Sequence, residues 1–443
     1  MGQESFLTIP RGGVYDAEPV GVKVAVVGGG STYTPELVEG FVSRGDRLPV
    51  DELALLDVDP ERLGIVGGLA ERMMRKVGWA GRLVLTGDRE QAIEGSDFVI
   101  VQLRVGGQGA RFMDETIPLK YGCIGQETTG AGGFAKALRT VPVVSELAEL
   151  TVERGAPGAW FIDFTNPTGL VTQALLDGGH RALGLCNVAI NMQRRFAEHF
   201  AVEPERVRLE HVGLNHLSWE RAVFVDDEDR LPSMLNGDAR LLADETDMPV
   251  ELIRELRAVP SYYLHYYYLT EKVLEEQRHS KPRAQEVMEI EAGLLEMYKD
   301  PALDTKPKLL EERGGAFYSD AAAALVASLH AGTGDVQVVN VRNDGAIPNL
   351  PVDAVVEVTA TVDRDGAHPL PVARLDPHML GLVEHAKAYE LLTAEAALTG
   401  DRGAALRALM TNPLVGTYER AAPMLEDILE QGRAHLPRFF PRG

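Results

Sequence analysis

The sequence predicts an α/β protein, with a Rossmann-like doubly wound sheet followed by a mixed α/β C-terminal domain. Three observations indicate this fold. Short apolar strands alternate with helical patterns from residue 22 to residue 187, a glycine-rich turn follows the first strand, and the alternation ends near residue 200. Because 443 residues exceed what one hydrophobic core normally holds, we expect a tail over residues 1–20 and domains over residues 21–200 and 201–443.

The first strand, turn and helix read V-K-V-A-V-V-G-G-G-S-T-Y-T-P-E from residue 22. Glycines let the turn approach a pyrophosphate, which would then lie on the free N–H groups at the helix N-terminus. Asp57 ends the next strand, where its carboxylate can accept hydrogen bonds from the ribose hydroxyls of NAD. Tyr33 stands where a third glycine is usual, so a glycine turn without a nucleotide stays an alternative. The residues expected to bind NAD are Gly28, Gly30, Ser31, Thr32 and Asp57.

The remaining elements continue the alternation. Further strands are predicted over residues 82–85, 98–103, 160–164 and 182–185, and helices over 60–77 and 138–154. The second half is predicted to hold strands over 207–212, 222–225 and 336–341, a loop over 213–219 and a helical C-terminal portion. Ligands of doubly wound sheets lie beyond the carboxyl ends of the strands, so the residues that follow each strand are expected to carry the chemistry. They include Arg104, Asn166, Cys186 and Asn187, and a long glycine-rich segment that contains residues 125–133.

The composition excludes several classes of protein. The formal charge of −22, from 66 acidic against 44 basic residues, argues against a nucleic-acid partner. Cys123 and Cys186 are the only cysteines, too few for a disulfide framework, so a reducing cytoplasmic location is expected. The chain shows neither a secretory leader nor an apolar run of about 20 residues, so no membrane partner is expected.

Cys186 and His216 are candidate metal ligands in separate loops. A thiolate and an imidazole suit a borderline-soft divalent metal. Two ligands are too few for a closed structural site, so water or substrate hydroxyls would complete the shell of a catalytic metal. The alternative is that Cys186 is a small buried apolar residue and that His216 is a hydrogen-bonded loop histidine.

Five tyrosines lie between residues 262 and 268. A tyrosine acts as a base only if a nearby metal, cation or cofactor lowers its pKa from about 10, and otherwise such a cluster packs the interior. Arg104 and Arg283 could each clamp a phosphate or a carboxylate, or could each belong to a salt bridge. The residues alone leave these alternatives open.

Eight ordered motifs together resemble glycoside hydrolase family 4, most closely its members that act on 6-phospho-β-glucosides. They are V-V-G-G-G-S-T-Y-T-P-E, L-K-Y-G-C-I-G-Q-E-T-T-G-A-G-G-F, D-F-T-N-P-T-G, G-L-C-N-V, G-L-N-H-L-S, Y-L-H-Y-Y, R-A-Q-E-V-M and R-G-G-A-F-Y-S-D. The likeness extends from Val22 to the C-terminal helices, and it is far more specific than the glycine turn alone.

The resemblance implies a redox-assisted elimination. NAD would take hydride from C3 of the sugar, which makes the C2 proton acidic. Mn²⁺ or another divalent metal, held by Cys186 and His216, would polarise the C2 and C3 oxygens. Tyr263 would remove the C2 proton, the aglycone would leave C1, water would add, and the hydride would return.

The resemblance also implies the residues that contact the substrate. Members of the family that act on α-linked sugars have an aspartate general acid after the metal cysteine, whereas this chain has Asn187, whose amide cannot donate a proton in that way. A β-linked substrate is therefore favoured, and Arg283 is expected to contact its 6-phosphate. The residues expected to bind substrate are Arg104, Glu127, Asn166, Asn187 and Arg283.

Other functions are compatible with part of the pattern. They are another family 4 specificity (for an α-glucoside, a galactoside or an unphosphorylated sugar), a 2-hydroxy-acid dehydrogenase in which Arg104 clamps a carboxylate, and a non-catalytic NAD-binding regulator. A homodimer or homotetramer is expected by similarity.

Overall fold

The computed structural model describes residues 21–237, 239–313 and 318–441. Within these residues the strands form a nine-stranded sheet and a second, four-stranded sheet. The strands are β1 Val22–Val27, β2 Val50–Leu56, β3 Arg82–Thr86, β4 Phe98–Val101, β5 Trp160–Asp163, β6 Ala182–Gly184, β7 Val207–Leu214, β8 Leu217–Val225, β9 Glu228–Asp229, β10 Val259–Pro260, β11 Asp335–Arg342, β12 Val355–Asp363 and β13 Gly366–Pro369.

The large sheet confirms the predicted Rossmann-like fold. Its order is β13-β12-β11-β6-β5-β4-β1-β2-β3, and the strands from β1 to β6 pair in parallel. The chain reverses its direction of winding between β1 and β4, and a ligand crevice forms at such a switch point. β4 and β5 are buried along their whole length, as expected for parallel strands covered on both faces.

The end of the large sheet differs from the prediction. β11 pairs antiparallel with β6, and β12 and β13 follow it outward. The sequence predicts a strand at β11 but a helical chain after it, so β12 and β13 correct that prediction. These three strands cover the open edge of β6, which would otherwise present unpaired backbone groups. The predicted domain division near residue 200 stays a prediction.

Helices pack on both faces of the large sheet, with α1 and α14 on one face and α5 and α6 on the other, while α8, α9 and α10 contact the second sheet. The helices of the described residues are α1 Thr34–Val42, α2 Pro60–Lys76, α3 Arg89–Ile93, α4 Gly107–Lys120, α5 Gly130–Arg154, α6 Thr168–Asp177, α7 Val188–Phe200, α8 Leu231–Asn236, α9 Arg240–Thr246, α10 Val250–Leu256, α11 His265–Tyr268, α12 Thr270–His279, α13 Arg283–Tyr298, α14 Tyr318–Ala331, α15 Pro377–Thr399, α16 Arg402–Thr411 and α17 Tyr418–Gly432. Short 3₁₀ turns cover Pro204–Arg206, Tyr262–Leu264, Lys308–Arg313 and Arg433–His435.

The glycine-rich segment before residue 138 is more helical than predicted. α5 begins at Gly130, eight residues before the predicted start at Leu138, and α4 forms where the sequence predicts a loop. The reason is close packing of backbone on backbone: a Cβ on Gly132 would lie 2.2 Å from the carbonyl oxygen of Gln126, and one on Gly133 would lie 2.6 Å from the carbonyl carbon of Thr128. These glycines therefore allow the start of a helix to pack closely against neighbouring backbone, and they do not form a loop.

The predicted loop over residues 213–219 is instead a tight hairpin. β7 ends at Leu214 and β8 begins at Leu217, so only Asn215 and His216 form the turn. His216 has a φ of 63°, in the left-handed region that non-glycine residues seldom adopt. The hairpin packs on β12, and this contact places His216 beside the carboxyl edge of the large sheet.

Two predicted features fall outside the described residues. They are the tail over residues 1–20 and residues 314–317 of the R-G-G-A-F-Y-S-D motif. Among the helices that the structure does describe, none is both long enough and apolar enough to cross a membrane.

Candidate active site

A cavity of about 1640 Å³ opens at the carboxyl edge of the large sheet. The loops that follow β1, β2, β4, β5 and β6 reach its wall, as the switch-point rule predicts. Most of the residues predicted from sequence to bind cofactor or substrate line it, and so does Tyr263, the predicted base. Those residues are Gly28, Gly30, Ser31, Asp57, Arg104, Glu127, Asn166, Asn187, Tyr263 and Arg283.

The glycine turn forms one end of the cavity. Gly28 has a φ of +88°, and a Cβ there would lie 2.8 Å from the carbonyl oxygen of Gln102. The Gly30 N–H donates to Asp57 Oδ2 at 2.8 Å, so the carboxylate at the end of β2 fixes the turn. The turn leads directly into α1, and this arrangement suits a pyrophosphate. Thr32 is fully buried and is not among the residues lining the cavity.

Glu127 lies at the centre of a buried charged cluster. Its carboxylate accepts hydrogen bonds from Arg104 and, at 2.9 Å, from Lys136 Nζ, and it lies 3.4 Å from Arg111 Nε. Burial opposes its ionisation, but Arg104, Lys136 and Arg111 hold the pKa of the carboxyl well below its usual range. Arg111 also contacts Glu115 at 2.8 Å. Three cations and two carboxylates therefore leave the cluster with a formal charge of +1 at the cavity wall.

Lys136 and Arg111 belong to the site although the sequence pattern does not predict them. Both line the cavity, and burial, with Arg104 adding to its effect, lowers the pKa of Lys136 to about 8. The available signal was a single lysine in the otherwise apolar and small stretch G-G-F-A-K-A-L. The glycines of residues 125–133 favour a loop in sequence, and a loop at this position does not predict that one face of α5 meets the cavity.

Cys186 and His216 are brought together as predicted. Cys186 Sγ lies 3.5 Å from His216 Nε2, and both side chains are buried. Thr128 Oγ1 lies 3.0 Å from Nδ1 on the other side of the ring. If the Nδ1–H donates to Thr128, Nε2 keeps its lone pair on the side of the sulfur.

The chemistry of this pair fits a divalent metal. Burial lowers the pKa of His216 to about 4, which keeps the imidazole neutral, and burial with Glu357 raises the pKa of the Cys186 thiol to about 12. A metal held here must therefore displace the thiol proton. Within the described residues, no group of three or more His, Cys, Asp or Glu side chains could hold an ion. A metal at this pair would therefore take two ligands from these side chains and keep its other positions open.

Tyr263 connects the Cys186–His216 pair to the cavity. Its ring stacks on the His216 imidazole with 3.6 Å between centroids and 8° between planes, and it lines the cavity itself. Burial, followed by Cys186 and Glu127, raises the pKa of its hydroxyl. A hydrogen bond with Thr128 acts in the opposite direction. In the protein alone Tyr263 is therefore a neutral phenol.

The remaining predicted residues lie on different walls. Asn187 is the N-cap position of α7 and follows Cys186 directly. Arg283 begins α13, where it donates to Glu286 Oε2 and to the Glu312 carbonyl, both at 2.8 Å. Asn166 accepts a long hydrogen bond of 3.5 Å from Thr168 Oγ1. All three side chains belong to residues that line the cavity.

The sheet order, the glycine turn and the cavity at the switch point together define a doubly wound α/β protein of the dinucleotide-binding type. The family model described as family 4 glycosyl hydrolase matches residues 23–202, and the model of its C-terminal domain matches residues 211–415. The chain belongs to glycosyl hydrolase family 4, and the resemblance seen in its motifs is confirmed.

Similar proteins cover almost the whole chain. The probable 6-phospho-beta-glucosidase of Bacillus subtilis is 42% identical over 95% of this chain and 98% of its own. The 6-phospho-beta-glucosidase of Escherichia coli is 39% identical over 94% of this chain and 97% of its own. The structure of the 6-phospho-beta glucosidase from Thermotoga maritima with manganese, NAD+ and glucose-6-phosphate has a TM-score of 0.87 and 38% identity, over 94% of this chain and 99% of that one.

Proposed function

We propose that this enzyme hydrolyses 6-phospho-β-glucosides with the help of NAD and a divalent metal. One observation carries the proposal: a single cavity is lined by the glycine turn, by the cationic cluster around Glu127 and by Tyr263. Tyr263 in turn stacks on His216, the imidazole of the Cys186–His216 pair. Relatives 42% and 39% identical bear the corresponding name, which supports this specificity over the others in the family.

Separate residues of the chain would hold the two cofactors. The turn at Gly28 and Gly30 and the carboxylate of Asp57 would hold NAD, while Cys186 and His216 would hold the metal, for which Mn²⁺ is the proposed ion. When bound, NAD supplies hydride transfer at C3 of the sugar, and the metal supplies Lewis-acid polarisation of the oxygens on C2 and C3.

Tyr263 is the proposed base that takes the proton from C2. Its high pKa in the protein alone means that it must lose its proton to act, and a cation at the adjacent Cys186–His216 pair would lower that pKa. Thr128 also forms a hydrogen bond with the Tyr263 hydroxyl. This bond favours the phenolate and holds the hydroxyl of Tyr263 in position. The stacked geometry would keep this base beside the residues that would hold the metal.

The positive charge at the cavity wall suits a phosphorylated substrate. Arg104, Arg111 and Lys136 share Glu127, and Arg283 reaches the same cavity from α13. We propose that Arg104, Glu127, Asn166, Asn187 and Arg283 bind the sugar phosphate, with Arg283 on the 6-phosphate. Asn187 cannot serve as a general acid, so the aglycone leaves unaided or takes a proton from water or from another residue.

The alternative functions are less well supported. A 2-hydroxy-acid dehydrogenase would give no role to the Cys186–His216 pair, and the family models match a glycosyl hydrolase over both parts of the chain. A non-catalytic NAD-binding regulator would not require the thiol and imidazole to meet.

The test is hydrolysis of 4-nitrophenyl β-glucoside 6-phosphate with NAD, Mn²⁺ and a thiol reductant. We expect release of nitrophenol without stoichiometric accumulation of NADH. The α-anomer and the unphosphorylated glucoside are the matched control substrates and should react far more slowly. Reduction of NAD by a 2-hydroxy acid, with no release of nitrophenol, would overturn the proposal.

Three broader features are proposed with it. The enzyme works in the cytoplasm, where a thiol ligand stays reduced. It assembles as a homodimer or homotetramer, which light scattering of the full chain would measure. Its domains divide near residue 200, with the tail of residues 1–20 outside both.

A further inference from the structure

Asn215 lies directly behind the Cys186–His216 pair, and its amide orientation is fixed. Its Oδ1 accepts a hydrogen bond from the Gly169 N–H at 3.4 Å, and its Nδ2 donates to Glu357 Oε1 at 3.0 Å. An amide nitrogen carries two N–H groups, and the Asn215 side chain also hydrogen-bonds the Cys186 thiol. Glu357 therefore determines which way the amide faces the sulfur.

Glu357 is part of a fully buried network. Besides Asn215, its Oε1 accepts from Asn340 Nδ2 at 3.0 Å, while its Oε2 lies 3.1 Å from His211 Nε2. His211 Nδ1 lies 2.7 Å from Glu220 Oε1. The side chains of Glu357, His211 and Glu220 are at most 4% exposed. Burying three ionisable groups is costly, and such networks usually persist because each member is held in place.

The network lies where the two sheets meet. Glu357 is the register partner of Asn340 across β12 and β11, and His211 is the partner of Glu220 across β7 and β8. The β7–β8 hairpin carries Asn215 and His216 at its turn, so the network anchors the hairpin that supplies the imidazole. Close packing supports this arrangement, because a Cβ on Gly169 would lie 2.9 Å from Asn215 Cβ.

We propose that Glu357 is a positioning residue for the divalent cation, acting through Asn215 on the Cys186 sulfur. This inference rests on the proposed function, because it assumes that Cys186 and His216 hold a metal. Two effects act together. The carboxylate orients the amide that faces the sulfur, as outer hydrogen bonds commonly orient metal ligands.

The second effect is charge balance. An imidazolium between two carboxylates carries one excess negative charge, and a dication held by one thiolate carries one excess positive charge. The two charges offset each other where burial limits their screening by solvent. Burial opposes the charging of His211, but Glu220 and Glu357 raise its pKa to about 10, which keeps it an imidazolium at neutral pH.

The test is the affinity for Mn²⁺ and Co²⁺ of the full-length variant Glu357→Gln. We expect Mn²⁺ binding, followed by the electron paramagnetic resonance of free Mn²⁺, to weaken by about 10- to 100-fold, as is typical when an outer-shell partner is lost. The near-ultraviolet thiolate-to-cobalt absorption should shift, whereas NAD affinity should not change. A merely structural role would leave the cobalt spectrum unmoved.

Three further variants make the result decisive. Glu390→Gln removes another buried carboxylate, paired with Lys387, and should leave metal affinity unchanged. Asn215→Ser leaves the Glu220–His211–Glu357 triad intact but breaks its link to Cys186, and it should weaken Mn²⁺ binding even if Glu357→Gln does not fold. Cys186→Ser should abolish metal binding, and if it does not, the metal site of the proposed function is wrong.

The outcomes separate the two proposals. If Cys186→Ser loses the metal but Glu357→Gln binds Mn²⁺ with unchanged affinity, the role of Glu357 is overturned and the proposed function stands. If Glu357→Gln does not fold, unchanged Mn²⁺ affinity in Asn215→Ser has the same meaning. Weakened affinity with a shifted cobalt spectrum in either variant would support that role.

Discussion

Tyr263 is the residue at which the metal pair and the sugar cavity meet. It stacks on His216 within 3.6 Å, and it is surrounded by other tyrosines of the same cluster, of which Tyr266 has its ring centroid 6.2 Å away. Both tyrosines line the cavity, so lining alone does not distinguish them. Contact with the imidazole does distinguish them, because a cation held at His216 would lower the pKa of Tyr263, the phenol stacked on it.

This contact predicts the effect of Tyr263→Phe. Removing the hydroxyl should lower kcat by about 10²-fold or more, as expected for loss of a general base, and should abolish exchange of the C2 hydrogen with solvent deuterium. Nuclear magnetic resonance of the sugar in D₂O measures the exchange, and NAD affinity should remain. Tyr266→Phe is the matched control, and if it stopped the exchange while Tyr263→Phe did not, the base would be Tyr266.

Lys136 predicts a pH dependence of substrate binding. Because burial lowers the pKa of Lys136 to about 8, the cavity loses one positive charge as the pH rises through that value. Affinity for glucose 6-phosphate, measured by calorimetry, should fall between about pH 7 and about pH 9. Lys136→Met should bind more weakly at the lower pH and should lack this fall. An equal fall in both proteins would assign the titration to another group.

At the scale of elements, the glycine turn between β1 and α1 is fixed by its neighbours. β4 ends beside it, where Gln102 Nε2 donates to the Gly28 carbonyl at 3.3 Å and to Thr34 Oγ1 at 2.9 Å. Asp57 fixes the turn from β2. The turn is therefore shaped by three strands, and a side chain at Gly28 would be strained both by its φ of +88° and by contact with β4.

Gly28→Ala is expected to weaken NAD binding and to destabilise the protein, because alanine adopts a positive φ only at a cost. Fluorescence titration with NAD and thermal unfolding measure the two effects. The matched control is Gly64→Ala, at an exposed position inside α2 where an added Cβ meets nothing within 4 Å. That change should stabilise the protein by about 0.5–1 kcal/mol and leave NAD affinity unaltered. Equal NAD affinity in Gly28→Ala would show that the turn does not contact the cofactor.

At the scale of the whole molecule, His211 links the two sheets. It lies in β7 and contacts Glu220 in β8 and Glu357 in β12, and all three side chains are buried. The folded protein therefore holds His211 protonated, with a pKa near 10, whereas an unfolded chain would have a value near 6.5. A raised histidine pKa contributes stability that is complete below the unfolded value and is lost as the pH rises through the folded value.

This linkage predicts how unfolding depends on pH. The free energy of unfolding from urea titrations should decline from about pH 6.5 toward about pH 10, and His211→Gln should show a smaller decline over the same range. The variant should be less stable at neutral pH, because two buried carboxylates then lack their cation. A parallel decline in both proteins would mean that His211 does not titrate in this range.

Much of the fold and site could be read from local patterns. Gly28 and Gly30 lie between a strand and a helix, and Asn166 and Cys186 follow apolar strands, so the parallel alternation was enough to place them at one edge. The roles of Tyr263, Glu127 and Arg283 came from the family motifs and stay predictions until they are measured. The helical start of α5 was missed, because glycines that pack backbone on backbone look the same in sequence as glycines of a loop.

The sequence by itself determined the doubly wound sheet, the position of its crevice and the family, because strand periodicity, glycine turns and ordered motifs are local properties of the chain. Only the tertiary structure decided which distant side chains meet. It joined β11, β12 and β13 to the first sheet, brought Lys136 and Arg111 to Glu127, and placed the Glu357 network behind Cys186. Such contacts depend on how whole elements pack, and packing brings together residues whose separation in sequence carries no periodic signal.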